Sequence, residues 1–265
     1  MVVMSIENSA EYQFSAHERN ALEELEAPLE HILNERRQEI ENGAYSLVVG
    51  VDASGRLPTR IVQKALHDIY TARKLRLPNV EFMAGGASLH PSFQDKMKIL
   101  SERLSSLRKQ QEKEGSAGKV LVVVDAIFTA SELQFVAETL RESGWTNIDV
   151  AAIGIDWPSE DKIHRFERMS GTRISFGMPK TPKVLDPTGR KAAELSGVHK
   201  AVNEPYARVN RTRPNPKQFT WTGFRTRYPE FSDERIAASR AFAKKSGSFL
   251  ARRFEEVSQR NRTET

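Results

Sequence analysis

The sequence predicts an α/β fold, a parallel five-stranded sheet with helices on both faces, and three observations carry that prediction. Short apolar, β-branched runs recur five times between residues 45 and 177. Segments with helical spacing of apolar residues separate them. Each run ends in small or acidic residues, the place where open parallel sheets bind their ligands.

The first element is helical. Ser15 and Glu18 have capping-box spacing, and Leu22, Leu25, Leu29, Ile32, Leu33 and Ile40 recur at helical intervals. Pro28 kinks this helix or opens a second one, and Gly43 closes the segment. YSLVVGV (45–51) is a buried strand running into Asp-Ala-Ser-Gly. Pro58 suits the first turn of the following helix, whose apolar face is Ile61, Ala65, Leu66 and Ile69.

A second strand is expected at 80–84, before Gly85 and Gly86, and a long helix at 91–114. The third strand, KVLVVV (119–124), precedes a helix over 131–143. The fourth, IDVAAIGI, leads into DWPSED and a helix near 159–169, and RISFG is the fifth. Five strands with four crossovers point to the loops at 52–57, 85–90, 125–132 and 156–160 as ligand sites. Residues 1–42 form an N-terminal helical element, 43–178 the α/β core, and 179–265 a Pro- and Lys/Arg-rich linker with a helical extension. That extension is expected as two short basic helices, 232–245 and 249–259.

Composition narrows the function. The chain has 265 residues, 38% hydrophobic and 28% charged, which excludes disordered, collagenous and membrane-embedded classes. The longest apolar runs are too short to cross a bilayer. The opening MVVMSIENSAEY lacks the basic and apolar regions of a secretory leader, so a cytoplasmic location is expected. With no Cys, disulfides, thiolate catalysis and cysteine metal sites are excluded. The net charge of +5 is uneven: residues 200–265 carry 15 Lys and Arg against 7 Asp and Glu, whereas residues 1–199 carry 25 against 28. The basic character belongs to the tail.

The third strand and its loop, KVLVVVDAIFTASELQFVAETLRESG, resemble the phosphoribosyl pyrophosphate signature of type I phosphoribosyltransferases and the related phosphoribosyl pyrophosphate synthetases. In that signature an apolar strand ends in two acids, followed by apolar spacers and a small, Thr-rich turn that opens a helix. VVGVDASGRLPTRIVQKAL resembles the family's pyrophosphate loop. The resemblance covers about residues 43–178 and implies a type I phosphoribosyltransferase-like fold.

It also implies roles. Asp125 matches the second acid, which holds the ribose hydroxyls. Thr129, Ala130 and Ser131 match the turn that receives the 5′-phosphate at a helix N-terminus. Ala53, Ser54, Gly55 and Arg56, with Asp52 ahead of them, match the pyrophosphate loop, and Mg²⁺ is implied if phosphoribosyl pyrophosphate is bound. Trp157 stands where a base-stacking aromatic would project.

Three positions depart from the family pattern. Val124 replaces the first acid, Phe128 replaces a small residue, and Glu132 would set a carboxylate against a bound phosphate. The expectation is a degenerate pocket for a nucleotide-like or phosphorylated ligand with weak or no turnover; an active transferase is the alternative.

Other patterns are weaker. Asp52 comes too early for a receiver domain, and neither G-x-G-x-x-G nor G-x-S-x-G is present. The six His show no ligand spacing, and only His90 falls on a candidate site loop. Phe93, Met97, Leu100, Leu104 and Leu107 form a narrow stripe that packs on its own sheet or serves as a homodimer seam. Phe219, Trp221, Phe224 and Tyr228 among Lys217, Arg225 and Arg227 would suit stacking and phosphate neutralisation. A binding or assembly protein that meets nucleic acid or a protein partner through residues 200–265 is therefore the rival class.

Overall fold

The computed structural model describes residues 16–51, 55–83, 91–127, 130–155, 164, 167–168, 171–177 and 233–263. Five strands form one sheet: β1 (Tyr45–Val51), β2 (Asn79–Met83), β3 (Lys119–Ile127), β4 (Ile148–Ile155) and β5 (Arg173–Phe176). All neighbours are parallel, in the order β2-β1-β3-β4-β5. The chain thus steps from β1 outward to β2, returns past it to β3, and continues to β5. The expected parallel five-stranded sheet is present.

Alternating side chains divide the apolar residues between two clusters, as a doubly covered sheet requires. Tyr45, Val48, Leu121, Val123, Ala151 and Ile153 belong to one. Leu47, Val49, Val51, Val120, Val122, Val124, Val150, Ala152 and Ile174 belong to the other. On the second face lie α5 (Pro91–Lys113), through Leu104, and α6 (Ala130–Glu142), through Leu133, Val136, Ala137 and Leu140. Leu100 and Leu107 also pack there, so this part of the α5 stripe meets its own sheet.

The first face carries α4 (Arg56–Ala72). The helices α1 (Ala16–Glu23), α2 (Glu26–Glu35) and α3 (Arg37–Glu41) bring Leu22, Leu25, Leu29, Ile32, Leu33 and Ile40 into the same cluster. Pro28 sits in the first turn of α2, where its missing N–H costs no helical bond. Gly43 has φ +66°, the left-handed value expected after a helix.

The final helix, α7 (Asp233–Thr263), corrects the expectation of two short helices: it is continuous. Ser246-Gly247-Ser248 reads as a break in sequence, but Gly247 marks a close helix contact. A Cβ there would lie 2.6 Å from Lys64 Cβ and 2.7 Å from the Ile61 carbonyl oxygen. Ser246 Oγ donates to Glu26 and Ser248 Oγ to Asp68, at 2.6 and 2.7 Å. Gly247 thus meets Ile61 and Lys64, Ser248 meets Asp68, and Glu255 meets Arg73, so α7 runs parallel to α4. This second neighbour explains why α4 buries nine residues rather than a single stripe.

The amino ends of the strands are tied by charge. Arg36 is fully buried beside Asp149, 3.5 Å away, and donates to the Arg173 carbonyl oxygen at 3.0 Å. Asp149 also accepts from the Tyr45 hydroxyl at 2.9 Å and from Lys119 at 3.1 Å. Burial first, then the Asp149 charge, holds the Tyr45 phenol above its usual range. No helix among the described residues is long and apolar enough to cross a membrane.

Candidate functional site

In a sheet of this order the crevice opens between the carboxyl ends of β1 and β3, where consecutive crossovers leave in opposite directions. The two strands pair up to Gly50 opposite Val123. Beyond that point β3 continues beside β4, with Ala126 opposite Gly154 and Ile127 opposite Ile155. The third strand is therefore longer than the apolar run KVLVVV indicates, and Asp125 lies on the strand rather than in the loop after it. At about 3.3 Å per residue, β3 extends some 10 Å past β1 and makes a step.

The α4 side of this step is built from few residues. Gly55 is the N-cap of α4, with ordinary helical dihedrals (φ −70°, ψ −11°). It is glycine because of space. A Cβ would overlap the Val51 carbonyl oxygen and lie 3.3 Å from that of Val123, so the turn is pressed against the end of β1 and against β3 at Val123. The Gly55 carbonyl oxygen accepts from the Thr59 N–H at 3.0 Å and the Thr59 hydroxyl at 2.6 Å. Thr59 is itself buried against Gly50, where a Cβ would come within 2.6 Å of both its hydroxyl and the Phe82 ring. Glycine at position 50 therefore lets the first turn of α4 and Phe82 of β2 close over β1.

Asp125 is buried, at 8% exposure. Val123 belongs to the α4-side cluster, so strand alternation sets Asp125 on that same face. Val124 belongs to the opposite cluster under α5 and α6. The departure from the two-acid pattern thus falls on a side chain turned away from the α4 side of the step.

Arg56 and Arg60, one helical turn apart on α4, both lie over the Phe82 ring, 4.9 and 5.5 Å from its centroid. Burial, followed by the charge of Arg240 on α7, holds the Arg60 guanidinium below the usual arginine range. On the other side of β2, Glu81 meets Arg103 at 2.7 Å. Burial nevertheless holds the Glu81 carboxyl above its ordinary value.

Of the predicted site residues, Gly55 lies against Val51 and Val123, Arg56 lies over the Phe82 ring of β2, Asp125 is on β3, and Ala130 and Ser131 open α6. Asp52, Ala53, Ser54, Thr129 and Trp157 lie outside the described residues, as do His90, Phe128 and the aromatic–arginine segment 217–228. His67 and His164 are exposed beside Asp68 and Glu167. Among the described residues no group of three or more His, Asp or Glu gathers as a metal site would. A groove of about 480 Å³ between α4 and α7, lined by Asp68, Ser248, Arg252 and Glu255, lies along the later turns of α4 and contains no crevice residue.

Sequence reasoning missed Arg60, Phe82 and Arg240. The i, i+4 spacing of Arg56 and Arg60 was a visible signal for the first, whereas Arg240 had none, since its neighbour is 180 positions away. No protein-family model, curated protein or solved structure matches the chain.

Proposed function

We propose that the β1/β3 crevice binds a phosphorylated, nucleotide-like ligand in the manner of a type I phosphoribosyltransferase whose pocket is degenerate, with weak or no turnover. One observation supports this most: the two loops that resemble the family's ribose-phosphate and pyrophosphate loops follow the two strands that flank the switch point. In this reading Asp125 holds the ribose hydroxyls. The turn at 129–131 and the N-terminus of α6 receive the 5′-phosphate, and residues 53–56 with α4 receive a second phosphate group.

The chemistry follows from that placement. A buried carboxylate on β3 suits two vicinal hydroxyls, which it orients through charge-assisted hydrogen bonds. Phosphate meets backbone N–H groups at helix starts, where the dipole favours an anion. If phosphoribosyl pyrophosphate is the ligand, Mg²⁺ arrives with it, and its donors are chiefly the pyrophosphate oxygens and water. Transfer would then be displacement at the ribose C1, with catalysis by positioning and electrostatics.

Calorimetric titration with phosphoribosyl pyrophosphate and Mg²⁺, then with ribose 5-phosphate alone, tests the reading. Micromolar binding that is lost in Asp125→Asn is the expected result. No heat and no thermal shift with either ligand would overturn it. Pyrophosphate release with an added base would convert the reading to an active transferase.

A further inference from the structure

The solvent side of α7 is basic along most of its length. Residues 235–254 hold six Lys and Arg and no Asp or Glu. The helix turns Ala243, Leu250, Ala251 and Phe254 into the core, and meets α4 through Gly247 and α2 through Ser246. Its exposed charges between 240 and 260 are Arg240, Lys244, Lys245, Arg252, Arg253 and Arg260, against one acid, Glu256. Arg253 bonds to Glu30 of α2. Among the described residues Arg240, Lys244, Lys245 and Arg252 form no ion pair. Like charges one turn apart, as Arg240 and Lys244 are, weaken a helix, so the arrangement carries a cost that the fold does not offset. On α5 the exposed positions mix Lys98, Lys109 and Lys113 with Glu102 and Glu112, and Arg103 pairs with Glu81.

Three features decide what such a face fits. The apolar side of α7 is turned into the core, so the helix has no apolar face to sink into a bilayer. With α4 and α2 on its flanks, α7 cannot enter a major groove as an isolated recognition helix does. Phe249 is the one aromatic among its exposed positions, too little for a platform that stacks unpaired bases. What remains is contact with a regular line of phosphates. Arg240 to Arg252 spans about 18 Å at 1.5 Å per residue, a length over which one strand of a duplex presents about five phosphates.

We infer that the exposed face of α7 binds duplex nucleic acid along its phosphate backbone, through Arg240, Lys244, Lys245 and Arg252, without reading sequence. Phosphate contacts of this kind position a duplex and release its counterions, so affinity falls steeply with salt. In sequence the positive excess of the tail is spread over residues 200–265; the helix gathers part of it on one side, where a polyanion meets several charges at once. The inference stands apart from the crevice reading, since none of the four residues belongs to it.

The test is fluorescence anisotropy of a labelled duplex of about 20 base pairs and arbitrary sequence, titrated with the full chain over a series of salt concentrations. Four phosphate contacts predict that log K falls against log salt with a slope of about −3.6. Lys244→Gln, Lys245→Gln and Arg252→Gln combined should bring the slope to about −1 and weaken binding about tenfold or more at low salt. Lys98→Gln, Lys109→Gln and Lys113→Gln combined remove the same charge from α5 and should leave the slope unchanged. Glu256→Gln, which removes the acid one turn from Arg252, should tighten binding. All these positions are exposed, and unchanged thermal melts would show that the fold is kept. No duplex binding at low salt, or equal losses in the two triple variants, overturns the inference. A single strand of the same length bound more tightly, or phosphatidylserine vesicles bound in place of the duplex, overturns it in favour of those partners.

Discussion

Gly55 and Val51 are in contact across the turn that ends β1, and no side chain fits between them: a Cβ on Gly55 would overlap the Val51 carbonyl oxygen. The three atoms nearest that Cβ are all backbone, the third being the Val123 carbonyl oxygen. Neither carbonyl can retreat without loosening the central pair of strands. Gly55→Ala should therefore cost about 1–3 kcal/mol, the usual range for overpacking, although its dihedrals suit alanine. Urea denaturation of the variant checks this; wild-type stability would mean that the turn is looser than described.

The same principle gives a prediction of opposite sign to helix propensity at Gly247. In a free helix Gly→Ala gains about 1 kcal/mol. Here the new methyl would press on the Ile61 carbonyl oxygen and on Lys64 Cβ. Gly247→Ala should lower the melting temperature and expose the α4–α7 seam to proteolysis. A raised melting temperature would show that α7 is not seated on α4.

Removal of Asp149 should be severe. Arg36 is fully buried and has its Nε and Nη1 without hydrogen-bond partners, so Asp149 is the charge that offsets it. Asp149→Ala would leave that guanidinium buried and unpaired, at a cost of about 3–5 kcal/mol. Lys119→Met, at a partly exposed partner of the same carboxylate, should cost far less. Equal losses in the two variants would contradict the assignment of the buried pair as the dominant contact.

Acid should loosen the seam between α4 and α7. Burial raises the Asp68 carboxyl, but hydrogen bonds from Lys64, Ser248 and His67 outweigh it and hold the group below its ordinary value of 3.8. A carboxylate with a depressed folded-state value stabilises above the unfolded value, and that contribution is lost as pH falls through the folded one. Unfolding at pH 5 and at pH 3 should therefore show a smaller acid loss in Asp68→Asn than in the wild-type protein. An identical pH profile in the two proteins would remove Asp68 from the account.

Much of the architecture was legible because apolar runs and helical periodicity are local. Leu22 to Ile40, Tyr45–Val51, Ile148–Ile155 and the α5 stripe each carry their own signal. Boundaries set by neighbours were not legible. Asp125 reads as a strand end because acids often stand there, yet β3 runs on through Ile127 because β4 is alongside to pair with it. Ser-Gly-Ser reads as a helix break, yet the glycine serves an interhelical contact. The proximity of Arg240 to Arg60 was not legible either, because it depends on how two distant helices align.

That alignment bears on how the chain reaches its native state. The bond between Asp68 and Ser248 spans 180 positions, and that between Arg73 and Glu255 spans 182. Loop closure over such distances is slow, and contacts of this kind form late. Lys64 and Asp68 of α4 and its C-cap Arg73, which meet α7, leave the ribosome long before their cover is synthesised. A nascent chain halted before residue 233 should thus be a client for chaperones, and the α4–α7 seam would be among the last parts of the molecule to mature.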